Sequence, residues 1–163
     1  MSNLTNNAVR TAVLNMCFGD AGLAIHGVNT ENVLTANAVE MSVNGVWNTL
    51  AAQAEVDISG LTFYNGDGDV LTAAPVVQTA YEAKFVLARN SADTIICCCG
   101  FEIATADTEE PDWPVVPDGY TPFGGIKVVN ATGSDFTIGT TGLDTANITD
   151  TYYDLCNIPP RSV

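Results

Sequence analysis

The chain is poor in positive charge: five lysines and arginines stand against nineteen aspartates and glutamates, a formal net charge of −14 over 163 residues. Nucleic-acid affinity comes mainly from Lys and Arg displacing counterions, so this balance excludes a phosphate-rich partner. Histidine is nearly missing. The one present, His26, lies in a Gly-rich stretch with no motif around it, which leaves Ser, Thr and Cys without an adjacent base for nucleophilic catalysis. No segment approaches the ~20 apolar residues that span a bilayer, and the opening MSNLTNNAVR lacks a basic region followed by an apolar run. The expectation is a soluble, cytoplasmically made protein with no membrane contact. The acidity suits a chain that faces water, alone or beside many copies of itself.

Motifs for chemistry are also sparse. Gly-Asp-Ala-Gly at 19–22 lacks the serine of a nucleophile elbow, and nothing matches a P-loop or a dinucleotide fingerprint. Asn65-Gly66-Asp67-Gly68-Asp69 has oxygens at alternating positions, as a calcium loop does. Its sixth position is Val70 where the turn needs Gly, and its twelfth is Val76 where a bidentate Glu belongs, so it reads as a hairpin tip. Glu109-Glu110 adjoins Pro111 and reads as a solvated charge cluster. Sequons at Asn3, Asn130 and Asn147 are common coincidences in a chain rich in Asn and Thr. No catalytic residue, metal ligand or cofactor is assigned.

Five cysteines sit at 17, 97, 98, 99 and 156, an odd count without a C-x-x-C pair. No disulfide framework is expected. A strand from Asp93 to Ile103 would place Ile95, Cys97, Cys99, Phe101 and Ile103 on one face and Ile96, Cys98 and Glu102 on the other. Buried reduced thiols are one reading; a thiolate metal site shared between subunits at an axis is the other.

What is present is mainly β pattern. Length suits one domain, able to bury roughly 70% of its unfolded surface without staples. Residues 5–18 are the exception: Val9, Ala12, Val13 and Met16 fall at helical spacing, with Thr5 as a cap and Gly19 as a stop, predicting a short helix or arm. That stripe packs on the chain's own core or on a neighbour, and the Gly-rich residues after it read as a tether, giving an arm over 1–35 and a β-domain over 36–163. Asn44-Gly45 between NAVEMSV and VWNTLA is a strong hairpin signal. EVDIS follows as a strand, then LTFYN-GDG-DVLT as a second hairpin. In YEAKFVLAR, Tyr81, Ala83, Phe85 and Leu87 share one face while Glu82 and Lys84 mark the other. IKVVN-ATGS-DFTIG reads as a third hairpin and TDTYYDL as the last strand. About eight short strands without a βαβ rhythm or a fixed repeat suggest an antiparallel β-sandwich or barrel.

Prolines at 111, 114, 117 and 122 punctuate an extended segment, 107–125, expected to run over a surface or bridge two sheets rather than join a ladder. Its Trp113, Tyr120 and Phe123 are either anchors for a neighbouring subunit or caps on the chain's own sheet. With Val9, Val13 and Met16 they make up the candidate interface.

From about Asn44 to Pro160 the order NGVWNTLAAQAEVDISG, VVPDGYTPFGGIKVVNATGSDFTIGTTGLD and ITDTYYDL resembles small virion proteins of tailed bacteriophages, the β-rich proteins encoded near capsid genes. The resemblance covers roughly the last two thirds of the chain. It implies a structural role on the virion exterior: a capsid decoration or cement protein, or alternatively a head fibre or tail component. The partners implied are the major capsid protein and further copies of this chain. It does not extend to the cysteine run or the first forty residues. A carbohydrate-binding adhesive β-sandwich, with Trp47 or Trp113 stacking on sugar, is the rival from another class.

Overall fold

The structure, a computed structural model, describes residues 15–156. The first strands in chain order are β1 (Met16–Phe18), β2 (Leu23–Ile25), β3 (Val33–Thr35), β4 (Val39–Val43) and β5 (Val46–Leu50). A single 3-10 turn, Ile58–Gly60, precedes β6 (Thr62–Tyr64), β7 (Val76–Val77), β8 (Tyr81–Asn90), β9 (Ile95–Cys99) and β10 (Ile103–Ala104). β11 (Tyr120–Asn130), β12 (Phe136–Thr137) and β13 (Ile148–Asp154) complete the described chain. The fold is mainly β and predominantly antiparallel, as the strand patterning predicts.

The principal sheet runs β13-β11-β8-β9-β6, with β10 pairing the start of β8. Its two longest strands lie side by side, Ile126 opposite Phe85 and Val128 opposite Ala83. The period of two expected in β8 is realised: Ala83, Phe85 and Leu87 enter the main core, while Val86 and Ala88 enter a separate cluster on the other face. β9 behaves likewise, with Cys97 and Cys99 inward and Ile96 and Cys98 outward. The expected long strand is interrupted: Gly100 N–H still bonds the Lys84 carbonyl in register at 2.7 Å, but Ile103 pairs Glu82 one residue out of that register, and Phe101 between them lies on the surface.

Across the core lie three smaller units: the β1-β4-β5 sheet, the β2-β3 pair and the β7-β12 pair. They contribute Cys17, Leu23, Val33, Met41, Val77 and Phe136 to the same buried cluster as Phe85 and Ile126. Each fully enclosed aromatic or large aliphatic side chain there stabilises by about 1.5–3 kcal/mol. The hairpin at Asn44-Gly45 forms as expected, with φ of 50° and 76° at the two turn residues and Val43 opposite Val46.

Several expectations are corrected. The predicted helix over 5–18 lies mostly outside the described residues, but its end is a strand: Met16–Phe18 pairs antiparallel with β4, bringing Cys17 opposite Met41. The Gly-rich stretch after it is no tether, since Ala21 and Leu23 are buried in the core and β2 pairs β3. EVDIS contributes a single bridge, Val56 to Val33, and then the 3-10 turn, where Asp57 Oδ1 accepts from the Ser59 N–H at 3.0 Å. β12 does not fold back on β11. It pairs β7, because β11 already has β8 on one side and β13 on the other. β6 runs parallel to β9, a pairing that no local turn could announce.

Pro122 does join a ladder, opposite Ala88, at a bulge where the register shifts before Gly124. The bulge absorbs the missing N–H and turns both Phe123 and Gly124 toward the core, Phe123 fully enclosed. Cys17 and Cys156 form a disulfide, against the expectation of none. Their pairing is a matter of three-dimensional proximity that spacing does not encode.

Candidate docking face

The proline-punctuated segment covers the outer face of the principal sheet. Pro111 and Pro114 are buried, and Trp113, Val116 and Tyr120 pack on the cluster of Val86, Ala88, Ile96, Cys98 and Leu155. The Trp113 ring meets Tyr153 edge-on, with centroids 5.1 Å apart. Gly125 makes the approach possible: a Cβ there would stand 2.6 Å from the indole. Of the sequence-derived candidates, Trp113 and Tyr120 are half-buried caps on the chain's own sheet and Phe123 is in the main core. Phe123 therefore is not presented to a neighbour. Met16 is partly exposed in β1, and Val9 and Val13 lie outside the described residues.

Charge is distributed unevenly. All nineteen carboxylates fall within the described residues and none is buried, whereas Lys84 and Arg89 are buried and Lys127 is partly enclosed. Lys84 Nζ meets Glu110 at 2.9 Å and sits 5.0 Å from the Trp113 ring centroid. Lys127 Nζ lies 3.2 Å from Glu82 and 3.4 Å from Glu110. Glu110 is therefore no free charge cluster with Glu109; the hydrogen bond and charge of Lys84, then Lys127, hold its carboxyl below the ordinary range. Burial opposes the charge on Lys127, but Glu82 and Glu110 outweigh it and raise its pKa. Arg89 pairs with Asp93 and reaches the Met41 sulfur. Each described lysine and arginine is thus engaged.

A different surface stands out on β1-β4-β5. In the register of this sheet, Phe18 lies opposite Glu40 and Trp47 opposite Ser42, so the two rings share the solvent face across β4. They stack with centroids 5.3 Å apart, and Phe18 is 40% and Trp47 61% exposed. Glu40 orients the pair. One of its oxygens accepts the Trp47 Nε1–H at 2.7 Å and the other accepts the Thr49 hydroxyl at 2.9 Å. Val46, 56% exposed, lies at the turn on the opposite face of β5, across from Val43. Sequence patterning marks Trp47 only as a sugar platform and hides Phe18 inside an expected helix; the signal lay in the unbalanced pair MSV and VWNTL, whose second half carries apolar residues on both faces.

The remaining motifs resolve into structure. Asn65 Oδ1 accepts the N–H groups of Asp67 and Asp69 at 3.0 and 2.8 Å, so the calcium-like loop is an Asx-type turn. His26 Nδ1 accepts the Asn29 N–H at 3.0 Å in the β2-β3 turn. Burial pushes the Cys98 and Cys99 thiols up to about 12 and Cys97 well above its ordinary value. Among the described residues no three His, Cys, Asp or Glu side chains group as a metal site.

No protein-family model, curated protein or solved structure matches this chain.

Proposed function

We propose that this chain is a structural protein of a tailed-bacteriophage virion, a capsid decoration or cement protein that attaches to the assembled head. The observation that supports this reading is the stacked, exposed Phe18–Trp47 pair, held in one orientation by Glu40 on an otherwise anionic body. Large aromatics immobilised before binding lose little entropy when a partner covers them, which is what docking hot spots require.

A cement protein meets a repeating lattice. Modest affinity per copy suffices, because neighbouring contacts raise the effective concentration of each further contact. Preferential binding to the assembled shell stabilises it by mass action. The acidic surface keeps free copies soluble and apart.

Quantitative mass spectrometry of purified source virions tests the reading through the copy ratio to the major capsid protein. A ratio near one, or a simple fraction such as one third, supports decoration. A handful of copies points instead to a fibre or tail part, and absence from the particle overturns the proposal. Deleting residues 1–14 tests the contribution of the amino-terminal segment while sparing β1.

The exposed indole of Trp47 also favours one second reading, a carbohydrate-binding surface. Binding of the isolated protein on a glycan array, lost with Trp47→Ala, would select it over attachment to a capsid.

A further inference from the structure

The outer edge of β5 adds a partner class to this docking face. Among the described residues β5 pairs only with β4. The two-residue turn makes Val43 and Val46 a hydrogen-bonded pair, and antiparallel alternation then points the N–H and C=O groups of Trp47 and Thr49 away from β4. No other described strand or loop backbone takes up these groups. Edge strands are ordinarily guarded by Lys, Pro or a bulge. The Val46–Leu50 sequence VWNTL has no charge and no Pro, and its register with β4 is unbroken.

We propose that β5 and the Phe18–Trp47 face form a strand-addition site for an extended, positively charged segment of a protein partner. The proposal rests on the reading that this face attaches the protein to a partner. Main-chain bonds to Trp47 and Thr49 supply register, and alternate side chains of the added strand fall on the face that carries the Trp47 ring. Charge selects the occupant. With nineteen carboxylates and three enclosed, paired cations among residues 15–156, a second body of the same kind brings like charge to the edge, whereas lysines or arginines gain attraction that salt screens over roughly 8–10 Å. The recognised segment alternates apolar residues against the aromatics with basic residues between them.

The test uses the full chain and three fluorescein-labelled ten-residue peptides: alternating Val and Lys, alternating Val and Glu, and the Val-Lys peptide with two central prolines. Fluorescence anisotropy is read at low and physiological salt. Binding of the Val-Lys peptide alone is expected, weakened about tenfold by Trp47→Ala, the scale of losing one interface aromatic. Thr49→Pro removes the outward N–H, together with the hydroxyl that donates to Glu40, and should abolish strand addition with little effect on folding; Thr49→Val, which loses the hydroxyl alone, should bind like the parent. Should Thr49→Pro fail to fold, Thr49→Lys keeps the backbone donor and repels the peptide, and at least tenfold weakening is expected there as well. Equal binding of the proline-containing peptide, binding of the Val-Glu peptide, or indifference to the Trp47 and Thr49 substitutions overturns the proposal. A sedimenting dimer that Thr49→Pro dissolves would assign the edge to a second copy and overturn it too. None of these results alters the virion copy ratio, so this inference and the decoration reading fail separately.

Discussion

Cys17 and Cys156, 139 residues apart in sequence, are joined by a disulfide that ties β1 to the residue two positions beyond β13. Both are 3% exposed and lie in the same buried cluster as Phe85 and Phe123. The bond closes nearly the whole described chain into a loop, so its main effect falls on the unfolded state, which loses much of its freedom.

Thiol counting checks the pairing directly. The native protein should yield no thiol to an aromatic disulfide reagent at neutral pH, because Cys97, Cys98 and Cys99 are buried and their pKa values are raised by burial. In denaturant without reductant three thiols should react, and with reductant five. Five without reductant would show that Cys17 and Cys156 are not bonded.

Replacing both residues, Cys17→Ala with Cys156→Ala, should lower unfolding free energy by about 2–5 kcal/mol, the usual cost of losing a long-loop disulfide. Chemical denaturation under matched non-reducing conditions measures the difference. An unchanged midpoint would mean that packing around β1 and β13, not the crosslink, limits stability.

Gly125→Val should drive Trp113 off the sheet. A Cβ at this position already falls 2.6 Å from the ring and 3.0 Å from Leu155, so a branched side chain overpacks the site by about 1–3 kcal/mol. In a Trp47→Phe background, Trp113 emission should shift to longer wavelength as the ring meets water. Emission unchanged from the parent would show that the segment adapts without leaving.

Acid should loosen the same segment. The Glu110 pKa is depressed from the ordinary 4.5, first by its hydrogen bond to Lys84. A group depressed on folding contributes stability above its unfolded pKa and loses it as pH falls through the folded value. Stability should therefore decline below about pH 4.5 in part through Glu110. Glu110→Gln should flatten the decline in that window; a parallel profile for the variant would place the acid sensitivity elsewhere. The effect is small at neutral pH, since the Glu110 side chain is 65% exposed.

Local pattern carried far in some segments and failed in others for identifiable reasons. The Asn44-Gly45 hairpin and the two-faced alternation of β8 and β9 were legible because a tight turn and a period of two are properties of a few adjacent residues. Met16–Phe18 misled because apolar residues at helical spacing also suit a short strand once β4 is available as a partner. Trp113 and Phe123 sit in one proline-rich stretch yet end in different clusters, since the bulge after Pro122 turns Phe123 inward while Gly125 admits Trp113 from outside.

The amino-acid sequence by itself determined the excess of carboxylates, the β character and the positions of the tightest turn, all of which follow from composition or from near neighbours. Tertiary structure alone decided that Cys17 meets Cys156, that β12 leaves β11 for β7, that every described lysine and arginine is engaged, and that Phe18 and Trp47 share an exposed face beside a strand edge that no other described strand pairs. Those outcomes depend on which distant segments come to lie side by side, and that is set by the packing of the whole core rather than by any stretch of chain within it.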